Sequence, residues 1–177
     1  MAAASILDQN GKMRMEMEME NGVVVIRPIG VIDEDVNFSV IVDHFKGMQA
    51  SERSLRLDLA YVSRMNSCGV REWILFLDKI APVISSLVFT RVCEPMVEQA
   101  NMTSGIFGKT RGAVQSFQAP YHCDSCGRDV MEIIKPSQVT FQGEEPIPPE
   151  VHCEKCSRPM TFAWIAKEYF SFVKRCG

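Results

Sequence analysis

The clearest pattern of hydrophobic and polar positions lies near the N-terminus. From Met13 to Glu20, methionines alternate strictly with charged residues, which predicts a strand with one buried face. The dipeptide Asn21-Gly22 favours a tight hairpin turn, and the run Val23-Val24-Val25-Ile26-Arg27 predicts the returning strand. Residues 1–12 show little pattern. We therefore expect a disordered tail over residues 1–12, followed by a β-hairpin.

Helical and strand patterns then alternate as far as residue 118. Apolar residues at helical spacing predict helices over residues 34–47 and 69–80, and Pro95 sits where a third helix would begin. Period-two or apolar runs predict further strands at residues 55–59, within 83–92 and at 113–119. This order predicts an α/β domain over residues 13–118, with helices packed on a mixed sheet.

Two Cys-x-x-Cys pairs dominate the last third of the chain, Cys123/Cys126 and Cys153/Cys156. A two-residue gap lets each pair wrap one metal in a tight turn, and four thiolates complete the tetrahedral shell of a structural Zn²⁺ site. Iron in a rubredoxin-like site would use the same spacing. A disulfide framework fits poorly with an odd total of seven cysteines, and a thioredoxin-like dithiol needs only one such pair. We predict zinc held by these four cysteines.

Residues 119–177 are therefore predicted to form a small zinc-ribbon-like module that ends in an aromatic helix. A module of this size buries little apolar surface, so the metal would supply much of its stability. Aromatic and apolar residues are dense after Pro159. We expect this segment to pack on the preceding domain or on another subunit, which leaves a homo-oligomer open.

Charge and composition narrow the function classes. The chain has 177 residues and a net charge of −3, and without a basic stripe it is a poor candidate for binding nucleic acid. It has neither a secretory signal pattern nor an apolar run of about 18 residues that could span a bilayer, so we expect a cytoplasmic protein. Disulfides are rare in that compartment. No catalytic triad, carboxylate pair or nucleotide fingerprint is evident, which predicts a non-enzyme.

Two loops carry a resemblance to a known family. Gly30-Val31-Ile32-Asp33 leads into the first predicted helix, and the stretch from Asp58 to Val70 contains Met65-Asn66-Ser67-Cys68-Gly69 at the start of the second. This resembles the STAS domain, the family of bacterial anti-sigma-factor antagonists that also occurs in anion transporters. That family carries a Gly-x-x-Asp turn and a Met-Asp-Ser-Ser-Gly-type loop at these places. The resemblance covers about residues 20–118 and implies a STAS-like mixed β-sheet.

The resemblance also implies a site and a partner. In antagonists of the family, a kinase partner phosphorylates the first loop serine, and only one form binds the partner protein. By position that serine is Ser67, with Asp33 as the nearby carboxylate, and the implied partner is an anti-sigma factor or serine kinase. Asn66 replaces the usual aspartate and Cys68 the second serine. The alternative for Ser67 or Asn66 is a simple helix cap. Two other functions stay open for the whole chain, a nucleic-acid-binding zinc protein and a redox-responsive zinc switch.

Overall fold

The computed structural model describes residues 5–49, 52–108 and 113–175, and within them the chain forms a mixed α/β fold. The strands are β1 Ser5–Gln9, β2 Met13–Glu20, β3 Val23–Ile32, β4 Ser54–Asp58, β5 Tyr61–Met65, β6 Ser86–Thr90, β7 Ala113–Val114, β8 Phe117–Cys123, β9 Arg128–Ile134, β10 Thr140–Gln142, β11 Glu145–Ile147 and β12 Thr161–Phe162. The α-helices are α1 Ser39–Lys46, α2 Ser67–Ile80, α3 Glu94–Met102 and α4 Ala166–Tyr169, and 3₁₀ helices cover Pro136–Gln138 and Phe170–Arg175.

The main sheet has seven strands in the order β1-β2-β3-β4-β6-β7, and β5 pairs with β3 beyond the end of β4. β1, β2 and β3 are antiparallel neighbours, whereas the pairs β3–β4, β3–β5, β4–β6 and β6–β7 are parallel. Helices provide the crossovers that parallel neighbours require. The predicted mixed α/β class is therefore confirmed.

The methionine strand behaves as its alternation predicts. Met13 and Met15 are buried, Met17 packs against the core and Met19, near the hairpin turn, is 45% exposed. The turn itself has Asn21 and Gly22 at positive φ, as a tight hairpin requires. The predicted hairpin of residues 13–27 is confirmed, and β3 continues to Ile32.

The prediction of a disordered tail over residues 1–12 is wrong for the residues that the structure describes. Ser5–Gln9 form β1, which pairs antiparallel with β2 from the Ser5–Met17 pair to the Gln9–Arg14 pair. Residues 1–4 lie outside the described part of the chain. Hydrophobic and polar residues do not alternate in this segment. It is a strand because it pairs with β2 at the edge of the sheet.

The aromatic C-terminal segment packs against Phe117, the first residue of β8. Phe117, Phe170 and Phe172 are fully buried, and the Phe117 ring lies 6.0 Å from that of Phe170 and 5.0 Å from that of Phe172. The backbone N–H of Gln118 donates to the carbonyl of Val92 at 2.8 Å. β8 thus runs from the main sheet into the cysteine region, across the boundary predicted at residue 118. The aromatic helix consists of α4 and the 3₁₀ helix Phe170–Arg175.

The cysteine region contains a three-stranded antiparallel sheet in the order β12-β8-β9 and the separate hairpin β10–β11. The first Cys-x-x-Cys pair joins β8 to β9, and the second precedes β12. Across residues 5–49, 52–108 and 113–175, no helix has the length and apolarity that crossing a membrane requires.

Candidate functional site

The sheet brings the two loops of the family resemblance together. β3 and β5 are parallel neighbours, and their last residues, Ile32 and Met65, are paired. Because parallel strands end at the same edge of a sheet, Asp33 and Asn66 leave that edge side by side. The backbone N–H of Asn66 donates to the carbonyl of Ile32 at 3.2 Å. We call the exposed region around these two loops and Ser67 the loop surface.

The start of α2 lies close against the end of β3. A Cβ atom on Gly69 would stand 2.1 Å from the carbonyl oxygen of Ile32, well inside van der Waals contact. Only glycine allows the helix this close, because any side chain would meet backbone. The glycine of the second loop therefore fixes the position of the helix N-terminus beside the Asp33 loop.

Asn66 is the residue that caps α2. Its Oδ1 accepts a hydrogen bond from the backbone N–H of Gly69 at 2.7 Å, as an N-cap side chain does. Its Nδ2 donates to Oε2 of Glu34 at 3.0 Å, and this bond lowers the pKa of Glu34. An aspartate could make the cap but could not donate to Glu34. The amide of Asn66 therefore ties the two loops together.

Ser67 is the first residue of α2, and its side chain is exposed. Among the described residues, its hydroxyl makes no hydrogen bond, so of the two capping candidates the structure selects Asn66. Cys68, the next residue, is also exposed. The structure thus brings Asp33, Asn66 and Ser67 together and assigns the helix cap to Asn66.

Asp33 is a buried carboxylate at the base of the loop surface. Lys12 Nζ donates to its Oδ2 at 2.9 Å, and the backbone N–H of Asp35 donates to its Oδ1 at 3.1 Å. These bonds hold the pKa of Asp33 below its ordinary value, with the lysine as the largest cause. Lys12 also donates to Asp35 at 2.9 Å, and the hydrogen bonds to the two carboxylates raise the lysine pKa. The buried charge is therefore paired, as burial requires.

Sequence reasoning missed Lys12 and Glu34. Lys12 was assigned to a tail, yet its backbone carbonyl accepts a hydrogen bond from the N–H of Val31 at 3.0 Å. A Cβ atom on Gly30 would stand only 2.2 Å from the same carbonyl oxygen. The glycine of the Gly-x-x-Asp turn thus makes room for the segment that carries the lysine. The available signal was the acidic run Asp33-Glu34-Asp35, which needs a cation nearby when one of its members is buried.

Asp58, at the end of β4, is a second buried carboxylate. Its side chain accepts hydrogen bonds from Arg27 Nε at 3.0 Å and Arg91 Nε at 2.9 Å. The Arg91 guanidinium also stacks over the ring of Tyr61, 5.3 Å from its centroid. Two arginines already engage this carboxylate, so we assign it a structural role.

The four predicted metal ligands form one compact cluster. Every pair of Sγ atoms of Cys123, Cys126, Cys153 and Cys156 lies within 4.8 Å. The Sγ atoms of Cys123 and Cys156 are 3.5 Å apart, and those of Cys126 and Cys153 are 3.7 Å apart. A tetrahedral Zn²⁺ with Zn–S bonds of about 2.3 Å requires S···S distances of about 3.8 Å. A disulfide requires about 2.0 Å, so the described cysteines suit a metal.

Both turns have the form that metal knuckles use. The backbone N–H of Gly127 donates to the carbonyl of Cys123 at 2.8 Å, and that of Ser157 donates to Cys153 at 2.8 Å. Gly127 and Ser157 both have positive φ, 67° and 55° respectively. The two turns are thus closed in the same way, and they face each other.

Backbone donors are aimed at the sulfurs. The pKa of Cys153 is lowered to about 6, first because the N–H of Lys155 donates to its sulfur and then because that of Cys156 does so. The N–H of Arg128 lowers the pKa of Cys126, but the hydrogen bond with Cys123, burial and the other thiols together raise it to about 11. A dication among the four sulfurs would hold them all as thiolates.

The two histidines next to the cysteines point to carboxylates instead. His122 Nδ1 lies 2.7 Å from Asp129 Oδ1, which raises the histidine pKa, and His152 Nε2 lies 3.4 Å from Glu150 Oε1. Neither belongs to the group of side chains that could hold one ion. A metal bound here would therefore have four sulfur ligands, a set that suits Zn²⁺ and would also accept iron.

No protein-family model matches this chain, and neither does any of the curated proteins compared with it. The resemblance to the STAS domain therefore stays a prediction. It depends on the residues of the two loops and on the order of strands and helices.

Proposed function

We propose that this chain is a regulatory protein-binding module that docks a partner protein through the loop surface and is switched by phosphorylation of Ser67. A structural Zn²⁺ on the four cysteines would brace the fold. The observation that supports the proposal is that different residues cap α2 and offer a free hydroxyl at its start. Asn66 makes the cap, so the exposed hydroxyl of Ser67 is not needed for the helix.

A phosphate at Ser67 would change the charge of this surface strongly. It adds about −1.5 to −2 charges and three acceptor oxygens. The N-terminus of a 14-residue helix offers it partial positive charge and backbone N–H donors. Across the loop surface it would meet the Glu34 carboxylate that Asn66 now holds. Attraction to the helix and repulsion from the acidic loop would give the two forms different surfaces.

The cationic side chains on the loop surface also support a phosphate-dependent switch. Lys12 is about half exposed and lies between Asp33 and Asp35, and Arg64 acts on Asp33 through its charge. A phosphate would compete with these carboxylates for the two cations. By the family resemblance, the partner would be an anti-sigma factor or a serine kinase. Binding is the function we assign to the two loops.

Affinity capture tests the proposal. Tagged wild-type protein, Ser67→Ala and Ser67→Asp are each used to capture proteins from native lysate, and mass spectrometry identifies the partners and any phosphate on Ser67. Ser137→Asp, which alters an exposed serine of the cysteine region, is the matched control. We expect wild type, Ser67→Ala and Ser137→Asp to capture a protein that Ser67→Asp does not. Equal capture by all four proteins would contradict the switch.

A further inference from the structure

A groove outside the loop surface carries an inference that goes beyond the proposed function. It lies between α3 and the aromatic C-terminal segment, has a volume of about 380 Å³, and is lined by Glu98, Asn101, Met102, Trp164, Glu168 and Tyr169. We call it the Trp164 groove. Three large apolar side chains on or beside it are open to solvent: Met102 at 72%, Trp164 at 44% and Ile165 at 61% exposure. Such a concentration of exposed apolar surface marks an interaction site.

The walls of the groove are held rigidly. Asn101 Nδ2 donates to the carbonyl of Tyr169 at 3.0 Å, and its Oδ1 accepts from the N–H of Phe172 at 2.9 Å and from Ser171 Oγ at 2.6 Å. The hydroxyl of Tyr169 donates to the carbonyl of Gln118 at 2.7 Å. The ring of Trp164 lies 6.0 Å from that of Tyr169. A ligand would therefore meet a preformed site and lose little free energy in ordering it.

The rim of the groove is negative and unpaired. Glu98 and Glu168 are exposed, and neither has an ion-pair partner among the described residues. The nearby lysines are engaged elsewhere, since Lys167 pairs with Glu145 at 2.9 Å and Lys174 with Glu144 at 2.6 Å. Two carboxylates beside an exposed indole suit a cation, which the carboxylates and the ring face both attract.

We infer that the Trp164 groove binds a peptide segment of a partner protein in which arginine or lysine stands next to large apolar residues. The apolar side chains would cover Met102, Ile165 and Trp164, and the cationic groups would reach Glu98 and Glu168. The same charges repel nucleic acid and anionic lipid. A second copy of this chain that presented the same acidic rim would also be repelled.

The chain's two tryptophans make a direct test practical. Trp73 is fully buried, and its indole N–H donates to the carbonyl of Ile106 at 2.7 Å, whereas Trp164 is exposed in the groove. With ¹⁵N-labelled tryptophan, the full zinc-loaded chain gives one indole NMR signal from each. The probe is a peptide of Leu-Arg-Arg-Leu repeats, and its Leu-Glu-Glu-Leu counterpart is the control. We expect the basic peptide alone to shift the Trp164 signal saturably, while the Trp73 signal stays in place and reports an intact fold.

Variants separate the two parts of the recognition. The double variant Glu98→Gln/Glu168→Gln removes the charges and should weaken binding about fivefold, the effect of two exposed ion pairs. Met102→Ser should weaken it by removing apolar contact, and Glu52→Gln, an exposed acid elsewhere, should leave it unchanged. The proposal is overturned if the Trp164 signal does not move, if the acidic peptide moves it equally, or if it moves with protein concentration alone, which would mean self-association.

Discussion

Replacing Gly69 by alanine has two opposing effects on stability: alanine favours the helix, but its Cβ atom would clash with β3. In an exposed helix interior, alanine is about 1 kcal/mol more favourable than glycine. The added Cβ would stand 2.1 Å from the carbonyl oxygen of Ile32 and 2.6 Å from its carbon. Both are backbone atoms, so no side chain can yield. The start of α2 would have to move by about 1 Å, a shift large for a packed interior.

The expected magnitude follows from what this shift disturbs. Overpacking of this kind costs about 1–3 kcal/mol. Loss of the 3.2 Å hydrogen bond from Asn66 to Ile32 adds about 1 kcal/mol. After the alanine preference of about 1 kcal/mol is subtracted, we expect Gly69→Ala to lower the free energy of unfolding by about 1–3 kcal/mol. For a chain of this size, that corresponds to a Tm lower by about 3–10 °C.

Urea unfolding followed by tryptophan fluorescence measures this change, because Trp73 is buried in the folded chain and becomes exposed on unfolding. Gly47→Ala is the matched control, because Gly47 ends α1 with φ of −77° and a Cβ there would lie 3.4 Å from the nearest atom. We expect the control to stay within about 0.5 kcal/mol of wild type. A Gly69→Ala protein as stable as the control, or more stable than wild type, would refute the close approach of α2 to β3.

Three further predictions concern the metal and the loops. Cys156→Ser should lower the bound zinc measured by elemental analysis from one equivalent, and the zinc-dependent part of the thermal stability should fall with it. The pKa of Asp33 is lowered in the folded state, so its contribution to stability is present above the ordinary carboxyl pKa. This contribution is lost as the pH falls through the lowered pKa of Asp33. The Tm, measured across acid pH, should therefore fall less steeply for Lys12→Met than for wild type. Asn66→Asp should keep the helix cap but lose the bond to Glu34, and a chemical-shift map should show changes at both loops with α2 intact.

The parts of the fold that depend on local interactions could be predicted from local sequence patterns. The hairpin could be predicted because alternating methionines and an Asn-Gly turn specify it within about fifteen residues of chain. The cysteine cluster could be predicted because the spacing within each Cys-x-x-Cys pair restricts its geometry. The helix starts were less accurate: α1 begins at Ser39, after the turn that Asp33 closes, whereas the pattern predicted residue 34.

Features set by distant contacts were not visible in the sequence. β5 was missed because Tyr61–Met65 mixes exposed and buried positions and is fixed by pairing with the end of β3. Lys12 was missed because it follows a strand that exists only through pairing with β2. The Trp164 groove was also missed, because its two walls are separated by about sixty residues of sequence and are joined by long-range contacts such as those of Asn101 with Tyr169 and Phe172.

The central claim is that phosphate on Ser67 controls docking at the loop surface. The most direct test is the affinity of the captured partner for two forms of the full zinc-loaded chain, one unmodified and one with phosphoserine incorporated at residue 67. We predict Kd values that differ by at least about tenfold, which corresponds to about 1.4 kcal/mol. Equal Kd values for the two forms, with the partner bound elsewhere on the chain, would contradict the account.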